Sequence, residues 1–357
     1  AEDASLQAVQ YLNEGMSVKE IAATLGVRST LTPGQIIFTS CGSEADNLAI
    51  LGTAYAKERR RGGRIITTDS EHSGVEKAML ALEKDGFEVV RIPTRGGELD
   101  WNAYENALNA RTFLVSIMMV NNETGAMYDL KRAFALAKAQ NPDIVTHTDA
   151  VQGYLKCRFT PDAIKADLVT ISGHKIHAPK GVGALYVSAA ALKRRDIVPT
   201  LLGGGQEGGF RSGTENVLGI VAFGAAAKYG FANLNAHLPH LLGLRNYAEE
   251  KLAALPVKLH IPTGSRAPHI LSLSPPDIKS ETMVHALSES GICVSGGSAC
   301  STHSKKLSRA LLAFGATENE TECALRISFS HYNTTEDIDA LAHALAENIE
   351  KLVKIHR

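Results

Sequence analysis

Between residues 35 and 187 short apolar runs alternate with stretches of helical periodicity, and this alternation constrains the fold before any motif is read. The runs at 35–39, 64–68, 87–93, 112–120, 144–148, 167–171 and 184–187 read as buried strands. Helical stretches are expected at 44–60, 73–84, 100–109 and 129–139. Strands alternating with helices predict an α/β fold: a mostly parallel central sheet covered by helices. Polar residues repeatedly follow the runs: Ser40 to Glu44, Asp69 to His72, Asn121 to Gly125 and Asp149 to Gln152. Ligands of open α/β sheets bind at the carboxyl ends of the strands, so functional residues are expected at that edge.

The chain of 357 residues is long enough for about two domains. The expected division is 17–233 for a large domain and 234–357 for a smaller α+β domain, with 1–16 packing on the smaller one. A helix is expected at 17–25, where Val18, Ile21, Ala22 and Leu25 share a face. The second domain is expected to carry strands at 257–261, 269–273 and 292–294, and helices at 281–289, 305–314 and 335–352. A long helical stretch at 234–254 bridges into it.

Net charge is −1, which points to neither a nucleic-acid surface nor a polybasic membrane anchor. No signal peptide is visible, and no apolar run approaches the ~20 residues that span a bilayer. The five cysteines show no CxxC pair, and their odd number argues against a disulfide framework. A reducing cytoplasm is the expected location.

The stretch 171–183 reads Ile-Ser-Gly-His-Lys-Ile-His-Ala-Pro-Lys-Gly-Val-Gly between two apolar runs. It suits the display of one amine at the rim of a sheet. Partly desolvated and beside other cations, Lys175 would lose proton affinity and could form a Schiff base with an aldehyde cofactor. A solvated turn lysine is the other reading. Small residues around Gly42 and Ser43, between a strand and a helix, leave backbone N–H groups aimed outward at an anion such as a phosphate. The glycine-rich stretch 201–216 is either a linker or a second phosphate loop. Asp149 at a strand end could hold a pyridinium nitrogen protonated, making the ring an electron sink; its alternative is an N-cap. His72 could stack on a flat cofactor, or could simply cap a helix.

These stretches are joined by Phe-Thr-Ser-x-x-x-Glu, Glu-His, Val-Asn-Asn-Glu-x-Gly, Asp-Ala-x-Gln, Ser-Gly-His-Lys, Gly-Gly-Gly-Gln-Glu, Arg-Ser-Gly-Thr-Glu-Asn and Gly-Ser-Ala-Cys, in that order. From about residue 21 to 338 the chain resembles the cysteine desulfurases of the NifS/IscS type, in the class V aminotransferase branch of fold-type I pyridoxal-phosphate enzymes. The resemblance implies pyridoxal 5′-phosphate as cofactor. Lys175 would carry it and shuttle protons, Asp149 would pair with the pyridine nitrogen, and Gln152 would contact the phenolic oxygen. His72 would stack on the ring. Gly42, Ser43, Ser172, His174 and, from the neighbouring subunit, Thr214 would hold the phosphate, which implies a homodimer. Asn122 and Arg326 would hold the substrate carboxylate, Arg326 through its planar fork.

Cys300, in the small-residue loop 295–301, makes the reading a desulfurase: its thiolate would take sulfur from L-cysteine as a persulfide and leave L-alanine. His303 and Cys300 alone are too few for a metal site, and none is expected. The implied acceptors of the sulfur are an iron–sulfur scaffold or a tRNA-thiolation protein. Competing readings are a selenocysteine lyase or another C–S lyase of the class, and a PLP-binding scaffold without turnover. The chain departs from the family in three places. The family's opening motifs, Asp-Asn-Ala-Ala-Thr-Thr and Gly-Asn-Pro-Ser-Ser, do not appear. The stretch after Cys300 is short and carries Lys305 and Lys306. Ser330-His331 stands where a glycine and an arginine are common.

Overall fold

Parallel pairing organises the first half of the chain. The computed structural model describes residues 32–56, 62–296 and 307–355. The helix expected at 17–25, the segment 1–16, Cys300 and His303 lie outside the described residues. In chain order the first elements are β1 (Ile36–Thr39), α1 (Gly42–Tyr55), β2 (Arg64–Thr68), α2 (Ser73–Lys84), β3 (Glu88–Ile92), α3 (Trp101–Ala107) and β4 (Thr112–Ser116). There follow α4 (Leu130–Gln140), β5 (Val145–Asp149), α5 (Pro161–Ile164), β6 (Leu168–Ser172), β7 (Gly183–Val187) and α6 (Ala189–Arg194).

Among the described residues these strands form one seven-stranded sheet in the order β1-β7-β6-β5-β4-β2-β3. β2 runs parallel to β3 and β4, β4 to β5, and β5 to β6. β7 is antiparallel to both β6 and β1, so β1 points the same way as the parallel set. The carboxyl ends of β1, β2, β5 and β6 therefore lie at one edge, where the sequence places its polar residues.

Burial follows the apolar pattern. On one face Ala45, Leu48 and Ala49 of α1 pack with Ile65, Leu114, Val145, Leu168 and Leu185. Elsewhere Phe38, Val182 and Ala184 pack with Phe223 and Ala227. Gly183 permits a close approach here: a Cβ on it would stand 2.7 Å from the carbonyl carbon of Cys41.

The contacts divide the described residues into two units. The first ends at Leu234 and excludes 93–100 and 120–128, which group with 235–355. The two excursions are what a linear division of the sequence misses, because loops after β3 and β4 bury their side chains with the later unit. α7 (Val217–Ala253) is one continuous helix, where a helix start near 217 and a separate bridge at 234–254 were expected. By length and composition it is apolar enough to cross a bilayer, contrary to the expectation that nothing in the chain is, and half of its most apolar stretch is buried.

The second unit holds β8 (Lys258–Leu259), β9 (Ile270–Ser274), β10 (Ser295–Gly296) and β11 (Leu325–Ser328) as an antiparallel sheet in the order β10-β11-β9-β8. Helices α8 (Ser280–Glu289), α9 (Arg309–Phe314), α10 (Glu318–Cys323) and α11 (Thr335–Ile355) accompany it. Its core joins Leu244 and Leu252 to Leu271, Leu273, Leu287, Leu325 and Leu345. The strand expected at 292–294 forms instead at Ser295–Gly296, paired with Arg326 and Leu325 of β11, a strand that periodicity did not single out.

Candidate active site

The site in the first unit is built from four strand ends. After β1, Cys41 is extended and its side chain makes no capping hydrogen bond to α1. The first-turn N–H groups of Gly42 and Ser43 have no intrahelical acceptor and remain available to an anion. Gly42 is buried and Ser43 exposed. Glu44 anchors this turn: Arg211 Nε donates to it at 2.7 Å and Ser40 N at 2.8 Å. Burial raises the Glu44 pKa, but the bonds from Arg211 and Ser40 outweigh it and hold the carboxyl below its ordinary value. Glu207 reaches back to accept the N–H of Phe38 at 3.1 Å. The glycine-rich stretch is thus tied to the anion turn by two carboxylates, which a linker would not be. Thr214, at its end, is exposed.

After β6, Ser172 is buried and pairs with Nδ1 of exposed His174 at 2.9 Å. Lys175 is half-buried in the same 3-10 turn, 173–176. Lys156, which sequence reasoning passed over, donates its ammonium to the Lys175 carbonyl. Burial first, and then the charge of Lys175, lower the Lys156 pKa to about 8. The His174 pKa is lowered by burial and by Lys175, Lys180 and Lys156. The sequence-level expectation of a lysine among cations is met by these three lysines. Cys157, beside Lys156, is pushed up to about 12 by burial and is a poor nucleophile.

After β5 and β2 the chemistry is acidic and dry. Asp149 is the last residue of β5, not an N-cap, and only 6% of it is exposed. It accepts the N–H of Val151 at 2.9 Å. Burial raises its pKa, while His72, that N–H and Lys175 oppose the shift. Glu71 accepts the N–H of Met118 at 3.0 Å and the hydroxyl of Thr68 at 2.7 Å. Burial still pushes its pKa up to about 8. His72 caps α2, its Nδ1 accepting the Gly74 N–H at 3.1 Å, as the capping alternative has it. Gln152 is half-buried in the turn after β5. Gly74 keeps the space between these groups open: a Cβ there would stand 3.1 Å from Asp46 Oδ2 and 3.3 Å from His72 Nδ1.

In the second unit Arg326, on β11, donates from Nη1 to the Asn122 carbonyl at 3.1 Å and from Nη2 to Ser295 Oγ at 3.3 Å. Asn121 shapes the loop that holds Asn122, its Oδ1 accepting the N–H groups of Glu123 and Thr124. The two residues expected to hold a carboxylate are therefore brought together, through the backbone of one and the guanidinium of the other. Ser330-His331 follows β11, and the His331 ring stacks on His237 with centroids 4.1 Å apart.

An acceptor for a ring nitrogen, an amine at the same sheet edge and an uncapped helix N-terminus fit pyridoxal phosphate. The sequence profile of the aminotransferase class-V family matches residues 10–341. The chain belongs to that family. It is 36% identical over 337 residues to a cysteine desulfurase of Trichormus azollae, covering 94% of this chain and 81% of that one. Among solved structures, a NifS-like protein superposes with a TM-score of 0.83 at 33% identity, covering 98% of this chain and 89% of that one. SspA, solved in complex with cysteine, superposes with a TM-score of 0.71 at 31% identity, covering 93% and 89%. The family is PLP-dependent, and its fold is the α/β arrangement described above.

Proposed function

We propose that this chain is a PLP-dependent cysteine desulfurase that converts L-cysteine to L-alanine and retains the sulfur as a persulfide on Cys300. The observation that carries the reading is the placing of Asp149 and Lys175 at one sheet edge, with the open N-terminus of α1 beside them. The likeness to named cysteine desulfurases, and to SspA with its cysteine, supports the substrate.

When bound, the cofactor supplies an electron sink for the substrate Cα and then for the carbon–sulfur bond. Lys175 would hold it and would move the Cα proton at Nζ. Asp149 would keep the pyridine nitrogen protonated, His72 would cover the ring and Gln152 would meet the phenolic oxygen. Gly42, Ser43, Ser172 and His174 would hold the phosphate. Arg326 and Asn122 orient the substrate carboxylate. The Cys300 thiolate attacks the substrate sulfur, and the electron pair of the breaking carbon–sulfur bond stays on Cβ, which takes up a proton as alanine forms.

The enzyme works as a homodimer in this reading, with Thr214 completing the phosphate site of the other subunit. Leu202 and Leu218, 79% and 68% exposed, flank exposed Thr214 in the sequence, and such exposed leucines suit cover by a second copy. Sulfur then passes to an iron–sulfur scaffold or a tRNA-thiolation protein in the cytoplasm.

The deciding experiment measures alanine formed from L-cysteine, with pyridoxal phosphate and a thiol reductant, for the wild type and Cys300→Ala. Alanine from the first alone supports the proposal. Equal alanine from both moves the reading to a lyase that does not use the cysteine. No alanine from either, with cofactor bound, overturns turnover itself.

A further inference from the structure

Beneath Asp149 lies a second carboxyl group to which the reaction above gives no task. Asp46, on the buried face of α1, is 1% exposed, and its Oδ1 has no hydrogen-bond partner among the described residues. Oxygen and nitrogen atoms of Asp46, Asp149 and His72 lie within 4.8 Å of one another. Two carboxylates this close in a dry interior repel strongly, and one of them keeps its proton unless a cation intervenes.

The groups that act most strongly on Asp46 supply no cation. His147, on β5, comes within 3.8 Å of Oδ1, the spacing of an ion pair. Yet His147 is fully buried, and burial lowers its pKa to about 3, so the imidazole is neutral. Both its nitrogens are engaged with hydroxyls, Nδ1 with Ser116 at 2.8 Å and Nε2 with Thr170 at 3.0 Å. Thr170, on β6, shares a hydrogen bond with Asp46 and is likewise neutral. His72 caps α2 through Nδ1, and a charge on its ring favours the ionised form of Asp149. The remaining neighbours are Asp149, Glu71 and the Cys41 thiol, each of which opposes a negative charge on Asp46. Asp149 differs: His72, the Val151 N–H and the charge of Lys175 all favour its ionised form.

We propose that Asp46 is a neutral carboxylic acid in the working enzyme, the second member of a carboxyl pair that carries one negative charge, held on Asp149. Asp46 is a positioning residue: its proton keeps the charge at the sheet edge, where the cofactor's ring nitrogen is to meet it. Burial and the flanking acids raise the Asp46 pKa well above the ordinary carboxyl value, in agreement with this division.

A carboxyl group whose pKa is raised by folding binds more protons folded than unfolded, so its presence costs stability as pH rises above the unfolded value. Asparagine keeps the shape and carries no charge. The experiment compares thermal midpoints of cofactor-free wild type and Asp46→Asn from pH 4.5 to 9. We expect near-equal midpoints at the acid end and a gap in favour of Asp46→Asn that grows to ~3 °C or more by pH 9. A gap that does not change with pH, or a variant less stable at every pH, overturns the proposal.

Infrared spectra at pH 7.5 of Glu71→Gln, which removes the other carboxyl that burial raises, provide a reading that does not require Asp46→Asn to fold. A protonated-carboxyl C=O band in Glu71→Gln supports the proposal, and its absence overturns it. Cofactor fluorescence titration then separates the two acids. Asp149→Asn should lose at least tenfold more affinity than Asp46→Asn, and the reverse order would place the charge on Asp46. The inference rests on Asp149 facing the ring nitrogen only in this last arm. If Asp149→Asn binds cofactor normally while the pH-dependent gap and the infrared band stand, the cofactor assignment fails and the neutral Asp46 does not.

Discussion

The two ends of the first unit's site solve opposite electrostatic problems. At the phosphate end, Gly42, Ser43, Ser172 and His174 offer N–H and hydroxyl donors, with Lys175, Lys156 and Lys180 nearby; Ser43 and His174 are exposed and Lys175 is half-buried. At the ring end, Asp149, Asp46 and Glu71 crowd three carboxyl groups into the interior, and burial raises the pKa of each. Water and backbone dipoles moderate the first end. The second is largely buried, so charge there is set by which acid has a local donor or cation. A motif rich in polar residues can be read as a surface, whereas a buried cluster can be read only through its partners.

Lys175 links the ends, and its loss should be the largest effect. Lys175→Ala is expected to lower alanine formation by ~10²-fold or more. In the wild type, borohydride should fix the cofactor on the peptide containing Lys175; label on another peptide would break the assignment. Next comes the dry end. Asp149→Ala removes one partner of a buried charge pair and should weaken cofactor binding by ~10²-fold or more. A loss no larger than that of Ser172→Ala would erase the contrast between the ends.

The contrast also has a pH signature. The Glu71 pKa is raised from 4.5 to about 8, so the folded state holds the proton that the unfolded chain releases. Stability should fall as pH rises through that window, by at most ~1.4 kcal/mol per pH unit, and level off above it. Glu71→Gln should match the wild type near pH 4 and exceed it near pH 9, by thermal melting. Smaller effects belong to the wet end. Ser172→Ala should cost about fivefold in phosphate-dependent cofactor affinity, equivalent to ~1 kcal/mol for one hydrogen bond. Arg211→Ala breaks a partly exposed ion pair to Glu44 and should cost under ~1 kcal/mol of stability. A larger loss from Arg211→Ala would show that the glycine-rich stretch, and not the α1 turn alone, shapes the anion site.

Local signals carried most of the fold. The seven apolar runs of the first half all became strands, several trimmed at the ends. β4 stops at Ser116, where 112–120 was expected, although Ile117 N and Met119 N still donate to carbonyls of β5. α1 starts at Gly42, because the extended Cys41 places the turn two residues earlier than the expected start at 44. β11 was not singled out, since four residues with a charged Arg326 in the middle give weak alternation. Asp46 had a faint signal of its own: with Ala49, Ile50 and Thr53 it occupies the buried face of α1, an unusual place for an acid. Lys156 and His147 had none, because their significance comes from what lies beside them.

What the sequence determined was the set of chemical groups and the sheet edge that displays them. Strand direction and the polar residues after each strand are local consequences of chain order, and local order is written in the sequence. Only the tertiary structure decided which acid keeps its proton, which histidine is neutral and which lysine braces Lys175. Those outcomes depend on dehydration and on neighbours about a hundred residues apart in the chain, as Asp46 and Asp149 are, and a side chain's spacing along the chain carries no record of the water that folding removes from around it.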